Sequence, residues 1–174
     1  MTAGGRPRVV LVGPPGSLAS EAGRELGHRL GVAVRDTDDD VVAAAGKPVA
    51  EVFVEDGEAA FRDLERDAVA RALGEHDGVV VLGSGAVMDP LTEQALAGHT
   101  VAFLDVSVAD AARRLGLAGP RPAGLGNPRA QWLRLMEHRR PVYARVATVT
   151  VPTDGLDPAG VAERVEAALL EVAP

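Results

Sequence analysis

The fold class this sequence predicts is α/β, with helices on both faces of a parallel sheet. Three observations carry it. Short Val-rich runs recur along the chain, a stretch of helical periodicity follows each run, and the 47% hydrophobic fraction is built from Ala, Val and Leu rather than aromatics. The first run is Arg8 to Val12, closed by Gly13, and the amphipathic stretch Ser20 to Leu30 lies behind it. Val32 to Val34 reads as a second strand. From Asp36 the chain opens with capping-type Asp and Thr and stops at Gly46, which defines a helix. Pro48 occupies the first turn of the next helix, and Phe61, Leu64, Ala68 and Leu73 mark a third over 58–73. Interior strands follow from Gly78 and from Thr100, the former ending in the turn "GSGAV" at Gly83 to Val87. Helical segments at 91–96, 108–117 and 129–140, a strand at 148–151 and a helix at 158–172 complete the alternation. Ligands of such sheets bind at the carboxyl ends of the strands, so site residues are expected just after them.

One segment breaks the pattern. Gly116 to Pro128 is dense in Gly and Pro with Arg121 as its single charge, and it predicts a mobile loop. Residues 1–6 are expected to be disordered. With 174 residues and no compositional break, a single domain over 1–174 is expected.

Charge and composition exclude several classes. The net charge of −7 gives no general electrostatic reason to bind DNA, RNA or an anionic membrane, so a bound anion must be held locally. No cysteine is present, which removes disulfides and thiolate metal sites. The four histidines lack metal-ligand spacing. No run approaches the roughly 18 apolar residues of a membrane span and no apolar signal core precedes the first strand, so a cytoplasmic location is expected.

The residues after the first strand, Gly13 to Ser20, read G-P-P-G-S-L-A-S. A phosphate loop of the form G-x-x-x-x-G-K-[ST] uses glycine to open backbone N–H groups, lysine to reach the β and γ phosphates and a hydroxyl to hold magnesium. Here Leu18 stands at the second glycine and Ala19 at the lysine, while Gly13, Gly16, Ser17 and Ser20 remain and Glu21 follows. The expectation from these changes is a narrowed loop that has lost catalytic charge.

Four stretches in this order, "GPPGSLAS", "DTD" at Asp36 to Asp38, "FRDLE" at Phe61 to Glu65 and "GSGAV", resemble the shikimate kinase family. Arg121-Pro122 inside the loop and "RRPVYARVA" from Arg139 to Ala147 add to the likeness, which runs from about Val9 to Ala167. The family phosphorylates the 3-hydroxyl of shikimate with MgATP. The resemblance therefore implies a P-loop, nucleoside-monophosphate-kinase-like three-layer sandwich with a five-stranded parallel sheet and a Gly/Pro-rich lid at about 116–128. It implies Asp36 and the lid residue Arg121 as catalytic, and Ser20 with Asp36 at the metal. By the same resemblance Arg62 and Arg139 bind the substrate carboxylate, with Arg140 as the alternative register. Asp38 accepts from ring hydroxyls, and Gly83 and Gly85 let backbone approach the ring. Gly13, Gly16, Ser17 and Ser20 line the phosphates, and Arg114 stacks on adenine.

Three functional readings follow. The leading one is a protein that binds shikimate or a related cyclic hydroxy-carboxylate, with ATP phosphotransfer weak or lost and acid/base chemistry, such as a dehydration, at Asp36. A second is a working shikimate 3-kinase in which Arg121 and Mg²⁺ replace the lysine; ATP and Mg²⁺ belong to this reading alone. In the third the chain is a non-catalytic regulatory protein whose partner is an enzyme of the aromatic pathway.

Overall fold

The structure, a computed structural model, describes residues 4–117, 119, 124 and 126–173. Five strands, β1 (Val9–Val12), β2 (Val34–Asp36), β3 (Val79–Val81), β4 (Val101–Asp105) and β5 (Val149–Pro152), form one sheet in the order β2-β3-β1-β4-β5. Every neighbouring pair is parallel. Successive side chains of a strand face opposite sides, and the core divides accordingly. Val10, Val12, Val80 and Phe103 pack with Val69 and Leu73 of α4 (Glu58–Glu75) and with Trp132, Met136 and Tyr143 of α7 (Pro128–Val146). Val9, Leu11, Val79 and Val81 pack with Ala22 and Leu26 of α1 (Ala19–Leu30) and with Val161 and Val165 of α8 (Pro158–Val172). The result is the expected α/β sandwich of three layers around a five-stranded parallel sheet.

The carboxyl ends of the strands gather the polar loops on one edge: Gly13 after β1, Asp36 at the end of β2, Leu82 to Gly85 after β3 and Asp105 at the end of β4. Asp36 caps α2 (Thr37–Ala45), accepting from the Asp38 N–H at 3.0 Å. A short turn at Val49–Glu51 (α3) runs into a wide helical turn at Val52–Asp56 before Gly57 resets the chain for α4. Two further short helices, α5 (Pro90–Ala95) and α6 (Val108–Arg114), cross between strands.

Several boundaries differ from the sequence expectation. β2 lies at Val34–Asp36 rather than Val32–Val34, because only there does it take up register with Val79 to Val81. Helix α7 continues to Val146 although Pro141 lies inside it; the proline removes one N–H, and burial of Tyr143 beyond it holds the helix to the sheet. Where a disordered tail over 1–6 is expected, residues 4–6 are placed: Gly5 lies against the backbone of Glu75 and His76, and Arg6 donates to the Gly98 carbonyl. Residues 1–3 and most of 118–125, including much of the expected mobile loop, lie outside the described residues. Among the described residues no helix is long and apolar enough to cross a membrane.

Candidate functional site

The phosphate loop is made by backbone. Leu18 has φ 65° and ψ 27°, the left-handed conformation that a glycine would adopt without strain. It is the one non-glycine with positive φ among the described residues, and the strain costs about 1–2 kcal/mol. The Leu18 side chain is partly buried against the core beneath α1, and the residue also lines the opening of the loop. The N–H groups of Leu18, Ala19 and Ser20 at the start of α1 take no acceptor among the described residues. These residues line an opening of about 190 Å³ together with Gly13, Gly16 and Ser17, and with the carboxylates Glu21 and Asp38. Free N–H groups at the positive end of a 12-residue helix are an anion site. From outside, the Trp132 Nε1 donates to the Pro15 carbonyl and the Arg114 Nη1 to the Gly16 carbonyl, each at 2.9 Å.

Ser20 Oγ donates to Asp36 Oδ2 at 2.6 Å, bringing the hydroxyl after β1 against the carboxylate after β2. No cluster of three or more His, Cys, Asp or Glu able to hold a metal exists among the described residues. Magnesium does not require one, since it keeps several waters and takes one or two protein oxygens plus phosphate. Ser20 and Asp36 fit that donor set.

Beside the loop is a second cavity of about 210 Å³ lined by Asp38, Phe53, Phe61, Arg62, Glu65, Gly83, Ser84, Gly85 and Arg139. Arg62 pairs with Glu65 at 2.6 Å, and its guanidinium lies over the Phe61 ring, 5.2 Å from the centroid. Arg139 donates to Ser84 Oγ at 3.3 Å. A Cβ on Gly85 would lie 2.8 Å from Arg62 Nη1 and 3.2 Å from Arg139 Nη2, so the bare glycine leaves room for both guanidinium groups to converge there. A Cβ on Gly83 would likewise lie 2.7 Å from Asp38 Oδ1 and 2.9 Å from Glu65 Oε1. Arg140, the alternative register, turns away and pairs with Asp105. Asp38 is pushed up to about 6, by burial first and then by the charges of Asp36, Glu65 and Asp39. Burial also raises Glu65, against the pull of Arg62.

Of the residues singled out from sequence, Asp36, Ser20, Gly13, Gly16 and Ser17 surround the loop, and Asp38, Arg62, Gly83, Gly85 and Arg139 surround the second cavity. Arg114 is 9% exposed and fixed between the phosphate loop and the Thr153–Leu156 turn, donating also to Thr153 and Leu156. Arg121 lies outside the described residues. Sequence reasoning missed the parts played by Glu65, Ser84, Trp132 and Tyr143. Glu65 carried a signal: it is a charge in the apolar stripe Phe61, Ala68, Ala72 of α4, and it is 3% exposed.

A phosphate-binding loop at the head of α1, with a carboxylate and arginine pocket beside it on a five-stranded parallel sheet, defines a P-loop α/β protein of the small-molecule kinase class. The shikimate kinase family model matches residues 15–170. The chain belongs to the shikimate kinase family. A protein of Salinispora arenicola named shikimate kinase is 53% identical over 163 residues, covering 94% of this chain and 98% of its own. One of Streptomyces avermitilis with the same name is 51% identical, covering 94% and 95%. Among solved structures, shikimate kinase from Acinetobacter baumannii in complex with shikimate superimposes with a TM-score of 0.86 at 25% identity, covering 96% of this chain and 94% of that one. Membership in the family implies use of ATP and Mg²⁺.

These relatives overturn the leading functional reading from sequence, in which phosphotransfer is weak or lost and Asp36 performs ATP-independent chemistry. Near-full-length identity of 51–53% to proteins named shikimate kinase supports a working kinase. The error lay in the weight given to the side chains at Leu18 and Ala19: the backbone at Leu18 still takes the left-handed conformation that a glycine would adopt there.

Proposed function

We propose that the protein is a shikimate 3-kinase, transferring the γ-phosphoryl group of ATP to the 3-hydroxyl of shikimate and yielding ADP and 3-phosphoshikimate. The observation that carries this reading is that the two cavities abut, both being lined by Asp38, Gly83 and Ser84. A ring held in one presents a hydroxyl to the mouth of the other, the proximity that phosphoryl transfer requires.

Each residue then has a task. Arg62 and Arg139 converge on the substrate carboxylate with planar, charged donors. Asp38 accepts from ring hydroxyls, and Gly83 and Gly85 give the ring its close floor. Asp36 is assigned the role of accepting the proton of the attacking hydroxyl. Gly13, Gly16, Ser17 and Ser20 hold the phosphates by backbone and hydroxyl, and Arg114 offers adenine a planar face. Ser20 and Asp36 would hold Mg²⁺, which would supply charge neutralisation at the phosphates. With Ala19 in place of lysine, the charge assigned to the transferring phosphoryl group is that of Arg121, which follows α6 in the sequence. The reading places the whole chain in one domain, with a small-molecule substrate and a cytoplasmic reaction.

The test is shikimate-dependent release of ADP by the purified protein with MgATP. The expected result is 3-phosphoshikimate in the product mixture, and a fall in kcat on the order of 10³ in Arg121→Ala. Absence of product at millimolar substrates would refute the reading.

A further inference from the structure

We propose that Trp132 is a positioning residue for the phosphate loop, its indole N–H holding the Pro15 carbonyl outward so that the Gly16 N–H points into the loop toward a nucleotide's phosphates. The proposal rests on the kinase reading for the identity of the ligand and on the geometry of the loop for everything else.

A residue held in left-handed backbone without being glycine persists only where its surroundings over-determine it. Leu18 is such a residue. Among the described residues, two side chains from distant elements reach the carbonyls of this loop: Trp132 to Pro15, 117 positions away, and Arg114 to Gly16, 98 positions away. In a trans peptide the C=O and the following N–H point in opposite directions, and the described chain has no cis bond. Pinning the Pro15 oxygen on the α7 side therefore turns the Gly16 N–H to the opposite side, and that N–H has no acceptor among the described residues. The Ser17 N–H closes the turn by donating to the Pro14 carbonyl at 3.1 Å.

The anchor of this brace is rigid. Trp132 is 6% exposed and lies on the inner stripe of α7 with Met136, Arg139 and Tyr143, at the i, i+4, i+7 and i+11 spacing of one helix face. Two turns on, Arg139 donates to Ser84 Oγ, and Tyr143 O–H donates to the Ser84 carbonyl. One helix thus sets both the attitude of the phosphate loop and the placement of a substrate arginine. In a loop with neither the second glycine nor the lysine, this outside brace takes over alignment of the donors.

The experiment compares wild type with Trp132→Phe, which keeps an aromatic ring and drops the N–H, and with Trp132→His, which restores a ring N–H. Calorimetric titration with MgADP is expected to show about tenfold weaker binding in Trp132→Phe, the usual worth of one hydrogen bond to an ordered group, with part of the loss recovered in Trp132→His. Shikimate binding measured alone is expected to stay within about twofold, since the loop bond is not part of that cavity. A readout free of nucleotide is the exchange of the Ser17 amide, expected to quicken several-fold in Trp132→Phe. Unchanged MgADP affinity and unchanged Ser17 exchange would overturn the proposal. So would equal losses of MgADP and shikimate affinity, which mark general damage to the core. If wild type shows no turnover while Ser17 exchange responds as expected, the kinase reading fails and the brace stands. If wild type turns over and Trp132→Phe keeps the same KM for ATP, the brace fails and the kinase stands.

Discussion

The phosphate loop and the carboxylate pocket share three lining residues, yet they are made of different material. The pocket is built from charged side chains that converge on two glycines: Arg62, Glu65 and Arg139 from helices α4 and α7, and Asp38 from α2. The loop is built from peptide groups, aimed by the left-handed Leu18 and by bonds to carbonyls on its outer side. A side-chain site is lost when one group is deleted. A backbone site depends instead on the dihedral angles and the outer braces, and here Leu18 keeps the left-handed conformation.

That contrast can be broken first at Arg62. Arg62→Ala removes charged donors toward a substrate carboxylate and is expected to weaken shikimate binding roughly a hundredfold, with MgADP binding unchanged. It also leaves Glu65, 3% exposed, without its partner, so a loss of about 3–5 kcal/mol in urea unfolding is expected. Adding Glu65→Gln should return most of the stability and none of the affinity. A MgADP loss as large as the shikimate loss would show that the two regions are one.

Asp38 gives the next effect. Its carboxyl is raised from 3.8 to about 6, chiefly by burial, so the folded state favours the protonated form. The associated stability is fully present below the unfolded pKa and is lost as pH rises through about 6. Asp38→Asn is therefore expected to exceed wild type in stability by roughly 2 kcal/mol near pH 8, the gap closing toward pH 3. Because the hydroxyl acceptor is the ionised form, shikimate affinity of wild type should fall as pH drops below about 6. A flat pH profile for both would contradict the assignment. The smallest effect sharpens the loop side: Leu18→Gly should be more stable than Leu18→Ala by about 1 kcal/mol, since both lose the same packing and only glycine relaxes at positive φ. In an ordinary helix the order is reversed.

Much of this was legible in the sequence, and the particular residues show why. Val9 to Val12, Val79 to Val81 and Val101 to Leu104 are buried on both faces and read as unbroken apolar runs. The edge strand β2 ends in Arg35 and Asp36, so hydrophobicity pulls its reading two residues toward Val32. Pro141 suggests a helix stop, and only the burial of Tyr143 shows that α7 passes through it. The choice between Arg139 and Arg140 is a matter of helix phase: Arg139 lies seven residues after buried Trp132 and four before buried Tyr143, while its neighbour points to Asp105. The braces on Pro15 and Gly16 span 117 and 98 positions and leave no local pattern. Side-chain composition alone does not reveal them.

The most direct measurement of the central claim, that a backbone-built loop delivers phosphate to the neighbouring pocket, follows label from γ-phosphate-labelled ATP during turnover with shikimate. The account predicts one label transferred to the 3-position of shikimate for each ADP released, and none transferred when shikimate is omitted. Label that stays on ATP, or that passes only to inorganic phosphate, would contradict it.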